Sequence, residues 1–192
     1  MRFERLSIDG ATLALIEPHP DVRGFFARTF CVNEFAAAGL PTQAVQMSMS
    51  FNERAGTVRG MHFQWPPSRE GKLVRCLRGR LYDVLIDLRP DSPSYLKHQA
   101  VTLTDTAHEA VYIPPGIAHG FQTLEPKTEV SYQMTDFFAP DLAAGFRWND
   151  RQFGIQWPLS EIVIADRDAQ YADFDQQQFE RELERRTAAA AA

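Results

Sequence analysis

Apolar residues recur at alternate positions in short runs along most of the chain, and turn residues separate one run from the next. An apolar, aromatic run over 25–32 follows an Arg23-Gly24 turn and reads as a strand. Runs over 72–77 and 81–88 flank Arg78-Gly79-Arg80, the spacing of a hairpin. Further alternating runs occupy 98–103, 109–113, 120–124 and 128–134, with Pro90, Pro93, Pro114, Pro115, Gly116 and Pro126 falling between them. One Ala-rich stretch, 34–38, breaks the pattern and predicts a short helix stopped by Gly39 with Pro41 beyond. Regularly spaced short strands with such punctuation predict an all-β fold, an antiparallel sandwich or barrel. The alternative is an α+β domain with a small sheet.

The last part of the chain has a different period. Phe174, Phe179 and Leu183 lie at near-helical spacing in an otherwise polar stretch over 173–186, which predicts a surface helix with a narrow apolar stripe and a frayed run of alanines after it. The chain therefore divides into a main domain over 1–170 and a helical tail over 171–192, with no internal repeat.

Composition narrows the class. At 192 residues, 44% hydrophobic and 23% charged, the chain can build one core, and disorder is excluded for most of its length. A formal charge of -5 argues against nucleic acid or an anionic membrane surface as partner. No apolar run approaches the roughly 18 residues of a membrane helix. The first residues carry charges of both signs, so no secretory signal is expected. Cys31 and Cys76 are too few for a disulfide framework, and a reduced, cytoplasmic setting is expected.

Two histidines sit in segments that could carry chemistry. His62 lies in Val58-Arg59-Gly60-Met61-His62-Phe63-Gln64, and His119 follows Pro114-Pro115-Gly116 at the start of a strand. A single histidine in a strand more often serves packing than catalysis; His19, His98 and His108 lie in polar stretches and carry no hypothesis. The two segments resemble the two motifs of the cupin superfamily, a jelly-roll barrel that often holds a metal through a His-x-His pair, a glutamate and a third histidine. Here Gln64 replaces the second histidine, and the Lys72 ammonium opposes a cation. No metal and no cofactor are expected. Without a metal, His62 suits a base near neutral pH, Lys72 suits an oxyanion formed next to a ketone, and Tyr132 could return a proton from the opposite face. Tyr132 is equally explained as a core tyrosine on the inward face of a strand.

At finer grain the chain resembles the dTDP-4-dehydrorhamnose 3,5-epimerases, metal-free cupins that invert centres flanking the keto group of a nucleotide-linked 6-deoxyhexose. Its segments Asp21-Val22-Arg23-Gly24-Phe25-Phe26, Val58 through Gln64, Gly71-Lys72-Leu73-Val74-Arg75, Asp87-Leu88-Arg89, Gly145-Phe146-Arg147-Trp148-Asn149-Asp150 and Ala165-Asp166-Arg167-Asp168 match in order, over roughly residues 1 to 170. The resemblance implies a cupin jelly roll, a double-stranded β-helix barrel with a short N-terminal helix and a C-terminal helix. It implies His62 as base, Asp168 as its carboxylate partner, Tyr132 as acid and Lys72 beside the C4 oxygen. It implies substrate contacts from Arg23, Arg28, Gln46, Ser48, Arg59, His119, Phe138 and Arg167, and a homodimer in which Arg23 serves the neighbour's site. The alternatives are an epimerase of a single centre and a cupin that binds a sugar nucleotide without turning it over.

Departures from the family pattern cluster on the nucleotide side. Arg28 and Ala143 stand where carboxylates are usual, Ser48 where asparagine is usual, and Phe138 where tyrosine is usual. The pocket is expected to be more electropositive if Arg28 and Ala143 both border the ligand, and selection for thymine is expected to be weak.

Overall fold

The computed structural model describes residues 1–191 of the chain. The order is β1 (Arg2–Arg5), β2 (Thr12–Leu15), β3 (His19–Asp21), β4 (Gly24–Phe26), α1 (Val32–Ala37), β5 (Gln46–Asn52), β6 (Thr57–Gln64), β7 (Lys72–Arg78), β8 (Arg80–Asp87), β9 (His98–Thr104), β10 (Ala110–Ile113), β11 (Ile117–Thr123), β12 (Thr128–Met134), β13 (Ala143–Gly145), β14 (Val163–Ile164), α2 (Asp166–Ala169) and α3 (Gln176–Ala191). One sheet runs β1-β2-β10-β7-β12-β5 and a second β13-β6-β11-β8-β9, with β14 parallel to β6. The strands β3 and β4 form a separate hairpin. Consecutive strands alternate between the two large sheets from β5 to β8 and again from β9 to β13, with β8 and β9 paired in one sheet, which is the jelly-roll way of closing a sandwich.

Period-two alternation sorts side chains into three layers. Val74, Cys76, Leu81, Leu85, Phe121 and Val130 point between the sheets and form the central core. Met61, Phe63, Val84, Ile86 and Phe146 point outward from the second sheet and are covered by Phe174, Phe179 and Leu183, so the apolar stripe predicted for the tail packs on the barrel. On the first sheet's outer side, Leu73 and Tyr112 pack against Phe35 and Leu40 around α1. The alanine run continues α3 to Ala191 rather than fraying after 186. The tail expected over 171–192 ends at Ala192, which lies outside the described residues.

Two further local expectations are corrected. Arg78-Gly79-Arg80 does not close a hairpin: β7 pairs with β10 and β12, whereas β8 pairs with β9 and β11. The chain passes from one sheet to the other there, at a glycine with φ of 78°; a two-strand alternation with a central glycine has the same signature for either connection. The run over 25–32 is strand only at Gly24–Phe26, where the short β3 is the sole strand partner among the described residues. Phe25 and Phe26 stay exposed there, Phe25 meeting only the His108 ring at 5.2 Å among aromatic neighbours.

Candidate active site

At one end of the barrel the inward positions of both sheets turn from apolar to polar and enclose a cavity of about 450 Å³. β6 contributes Arg59, His62 and Gln64, although strict alternation would not put Arg59 and His62 on the same side. A bulge explains it. His119 pairs with His62 and Phe121 with Arg59, so two steps on β11 span three on β6. The extra residue falls at Gly60, whose φ is 133° and where a Cβ would meet the Gly120 Cα at 2.5 Å. A glycine is needed there, and the bulge it permits aims both the arginine and the histidine inward.

His62 Nε2 bonds Asp168 Oδ1 at 2.9 Å, and Asp168 Oδ2 accepts the Gly60 N–H at 3.1 Å. A proton on Nε2, donated to the carboxylate, leaves Nδ1 as the basic nitrogen. Burial alone would raise the Asp168 carboxyl; the bond and charge of His62, the Gly60 N–H and Arg167 together hold it below its ordinary value. Asp168 therefore stays anionic beside an imidazole that gains a proton. On the next strand His119 Nε2 bonds both oxygens of Asp83, at 2.9 and 3.0 Å, and this pair is shut away from solvent.

The first sheet faces these histidines with Lys72 and Tyr132. The Tyr132 hydroxyl lies 3.0 Å from Ser50 Oγ, and burial pushes its phenol up to about 12, so it is a proton carrier at neutral pH. Lys72 is ion-paired with Glu70, and both side chains line the cavity. Arg59 Nε donates to Asn52 Oδ1 at 2.8 Å, which fixes its fork at the wall.

Of the residues expected at the site, Ser48, Arg59, His62, Lys72, His119, Tyr132, Phe138, Arg167 and Asp168 line this one cavity. Gln46 stands just behind, its Oε1 accepting the Phe138 N–H at 2.6 Å. Two lie elsewhere in the chain's own fold. Arg23 is exposed on the β3–β4 hairpin and pairs with Asp21, and Arg28 pairs with Glu34 beside α1. Ala143 lines the cavity but Arg28 does not, so the condition for a strongly electropositive pocket is not met within one chain; Glu70 moreover adds a carboxylate to its wall. Glu70, Asp83, Ser50 and Asn52 went unnoticed in the sequence. Asp83 had a legible signal, a carboxylate at an inward position between Leu81 and Leu85, where only a partnered charge is tolerated. Among the described residues no three His, Cys, Asp or Glu side chains are grouped to hold a metal ion, and no helix is long and apolar enough to cross a membrane.

A jelly-roll barrel whose one open end carries a carboxylate-backed imidazole opposite a protonated phenol and an ammonium defines an acid–base enzyme of the cupin type. Comparison with known proteins makes this specific. The sequence profile of dTDP-4-dehydrorhamnose 3,5-epimerase matches residues 5–176, and the chain belongs to that family. It is 38% identical over 172 residues to the dTDP-4-dehydrorhamnose 3,5-epimerase of Sinorhizobium fredii, covering 88% of this chain and 87% of that one. It is 34% identical over 169 residues to a dTDP-4-dehydrorhamnose 3-epimerase of Streptomyces niveus, covering 88% and 81%. The crystal structure of the Bacillus anthracis dTDP-4-dehydrorhamnose 3,5-epimerase, with TDP and PPi bound, superposes with a TM-score of 0.87 at 32% identity, covering 90% of this chain and 99% of that one.

Proposed function

We propose that the chain epimerises C3, C5 or both of a nucleotide-diphospho-4-keto-6-deoxyhexose. His62 Nδ1 takes the proton from the carbon next to the C4 ketone, and the electron pair of the broken C–H bond becomes the enolate double bond and the C4 oxyanion. Lys72 donates to that oxyanion, Tyr132 returns a proton to the opposite face, and Asp168 holds the imidazolium until it is discharged. The observation that carries this reading is the placement of His62 and Tyr132 on different sheets, β6 and β12, at the wall of one cavity. A sugar ring lying between the sheets meets a base on one face and an acid on the other, which is what inversion requires. Arg59 and Arg167 suit the diphosphate as guanidinium forks, and Phe138 offers a ring for the base to stack on.

The reading includes a homodimer. Met47, Met49 and Phe51 stand exposed on the outer face of the edge strand β5, and Val22, Phe25 and Phe26 are exposed on the β3–β4 hairpin. A second copy covering these side chains bring Arg23 of one subunit towards the cavity of the other, where a further guanidinium serves the diphosphate. Two free cysteines favour a cytoplasmic setting.

Incubating the enzyme in heavy water with a 4-keto-6-deoxyhexose nucleotide and following each ring proton by NMR tests the function. Exchange at C3, C5 or both is expected, and the carbon that exchanges separates the two-centre enzyme from the 3-epimerase seen in the Streptomyces niveus relative. Binding without exchange at any carbon makes the protein a sugar-nucleotide binder and overturns the proposal. Light scattering on the pure protein reports the dimer; a monomer removes the shared site.

A further inference from the structure

Glu70 is the one carboxylate of the cavity wall that the proton transfers leave unused. Its side chain is 6% exposed and that of its partner Lys72 17%, so the pair is nearly withdrawn from water. Burying an ion pair gains little over an apolar wall unless the remaining donors and acceptors are also satisfied. They are not. Among the described residues the Lys72 ammonium donates only to Glu70 Oε1, and Glu70 Oε2, on a side chain that lines the cavity, receives no hydrogen bond from the protein. Two spare N–H donors and a spare carboxylate oxygen therefore stand side by side at the cavity.

The backbone that carries Glu70 is fastened on both sides. The Glu70 N–H donates to Ser68 Oγ at 3.2 Å, Ser68 Oγ and the Arg69 N–H both donate to Asp136, and the Gly71 N–H donates to Thr135 Oγ1 at 2.8 Å. Those N–H and hydroxyl bonds hold Asp136 below its ordinary value, so the clasp persists as an anion. The carboxylate is thus pre-positioned, at the cost of keeping a negative charge near the place where an oxyanion forms. That cost needs an offsetting contact with the substrate.

We propose that Lys72 and Glu70 act as one donor–acceptor clamp for an α-hydroxyketone, Lys72 donating to the C4 oxygen and Glu70 accepting from the neighbouring C3 hydroxyl. The inference rests on the function proposed above and adds a specificity: the sugar must keep a free hydroxyl at C3. The two oxygens lie on adjacent carbons, as the spare donor and acceptor lie on adjacent side chains. When C3 loses its proton it becomes trigonal, as the C4 carbonyl carbon already is, and both oxygens come into one plane. The clamp then meets O4 as an oxyanion and O3–H as a donor without either side chain moving, and the hydroxyl proton stays on O3 throughout. A contact improved in the enolate lowers the barrier to its formation rather than only binding the ground state.

The test compares thymidine-diphospho-4-keto-6-deoxyglucose with its 3-deoxy analogue, reading kcat/KM for deuterium entry at C3 and at C5 in each. Wild type is expected to prefer the 3-hydroxy sugar by about 10- to 100-fold, the value of a charge-assisted hydrogen bond. In Glu70→Ala that preference is expected to fall to about threefold or less, on the order of what one weak contact supports. Loss of the partner of Lys72 acts on both sugars and cancels in the ratio. Glu70→Gln is nearly isosteric, keeps an acceptor for Lys72 and gives an intermediate ratio, so the test survives if the alanine variant does not fold. A wild-type enzyme without the preference, or a preference that persists in both variants, overturns the clamp. Absence of exchange at both C3 and C5 of the 3-hydroxy sugar in wild type overturns the epimerase reading itself, a separate result.

Discussion

His62 and His119 are direct cross-strand neighbours, each bonded through Nε2 to an aspartate, yet their surroundings differ. The His62 side chain is 41% exposed and its aspartate comes from α2, more than a hundred residues along the chain. The His119 side chain is 7% exposed and its aspartate comes from β8, the adjacent strand. One pair is a base that opens onto the cavity with a carboxylate delivered late by a loop and a short helix. The other is a sealed pair built into the sheet. Burial holds the Asp83 carboxyl above its ordinary value although the charge and hydrogen bond of His119 pull against it, whereas Asp168 ends below its ordinary value because the Gly60 N–H and the field of Arg167 add to the bond and charge of His62. The same two residue types thus serve reactivity where water reaches them and rigidity where it does not.

The largest expected effect breaks this comparison directly. His62→Ala should remove deuterium exchange by at least the 10²–10⁴-fold typical of a general base, with the folded state changed by no more than about 1 kcal/mol, since Asp168 keeps the Gly60 N–H and the site is open. His119→Ala should do the reverse in stability, costing about 3–5 kcal/mol because a fully buried carboxylate loses its partner. Asp168→Asn should slow exchange less than His62→Ala, as the imidazole remains and only its counter-charge is lost. Exchange rates and denaturant midpoints on the three variants check all of this. Wild-type exchange in His62→Ala, or wild-type stability in His119→Ala, would erase the distinction between the pairs.

Much of this arrangement could be read in the sequence, and the reasons differ by residue. His62, Lys72 and His119 stand in short motifs marked by glycine or proline and Tyr132 in a plain alternating run, and alternation, with the bulge at Gly60, turns all four inward to one cavity. An all-β sandwich or barrel follows from the spacing of apolar runs, and the jelly roll from the resemblance to the cupin motifs. Which strands pair does not, because Gly79 marks a sheet crossing with the same local pattern as a hairpin. Glu70 escaped because a charge outside any alternating run reads as a solvated loop residue, and only the clasp from Thr135 and Asp136 turns it inward. Arg28 shows the converse: its sequence position suggested a ligand contact, and within one chain its guanidinium is taken by Glu34.

A smaller effect sharpens the comparison from the opposite sheet. Tyr132 is buried like Asp83 but carries no charge while it stays protonated, and burial puts its phenol, like that of Tyr112, near 12 instead of 10.0. Below about 10 the folded and unfolded chains both keep these protons, and the contribution to stability is whole. From there upward the unfolded chain ionises first, so stability should fall as pH rises towards about 12, by up to about 1.4 kcal/mol per pH unit for each phenol. Tyr132→Phe should make that decline shallower by one phenol while abolishing the return of the proton at neutral pH. Urea midpoints measured between about pH 9 and pH 11 check the slope; an unchanged slope would mean that the Tyr132 proton is not withheld by burial.

The smallest expected effect lies at the mouth of the cavity, where the sealed order of the His119–Asp83 side gives way to exposed groups. Phe138 lines the cavity and its backbone is held by Gln46, so a stacking surface for a base is in place. What differs from the family pattern there is polar. Ser48 offers a hydroxyl where an amide could both donate and accept along a pyrimidine edge, Phe138 lacks the tyrosine hydroxyl, and Ala143 supplies no carboxylate. Each absent hydrogen bond is worth about 0.5–1.5 kcal/mol, or roughly 2- to 12-fold in affinity. Stacking is tolerant of base identity, whereas edge contacts are not. Thymidine diphosphate should therefore bind within about tenfold of uridine, cytidine and guanosine diphosphates, the diphosphate contacts of Arg59 and Arg167 being common to all. Calorimetric titration of the four decides it. A preference for the thymidine form beyond about 100-fold would mean that backbone groups or the neighbouring subunit read the base, and that the altered side chains at 48, 138 and 143 do not set nucleotide choice.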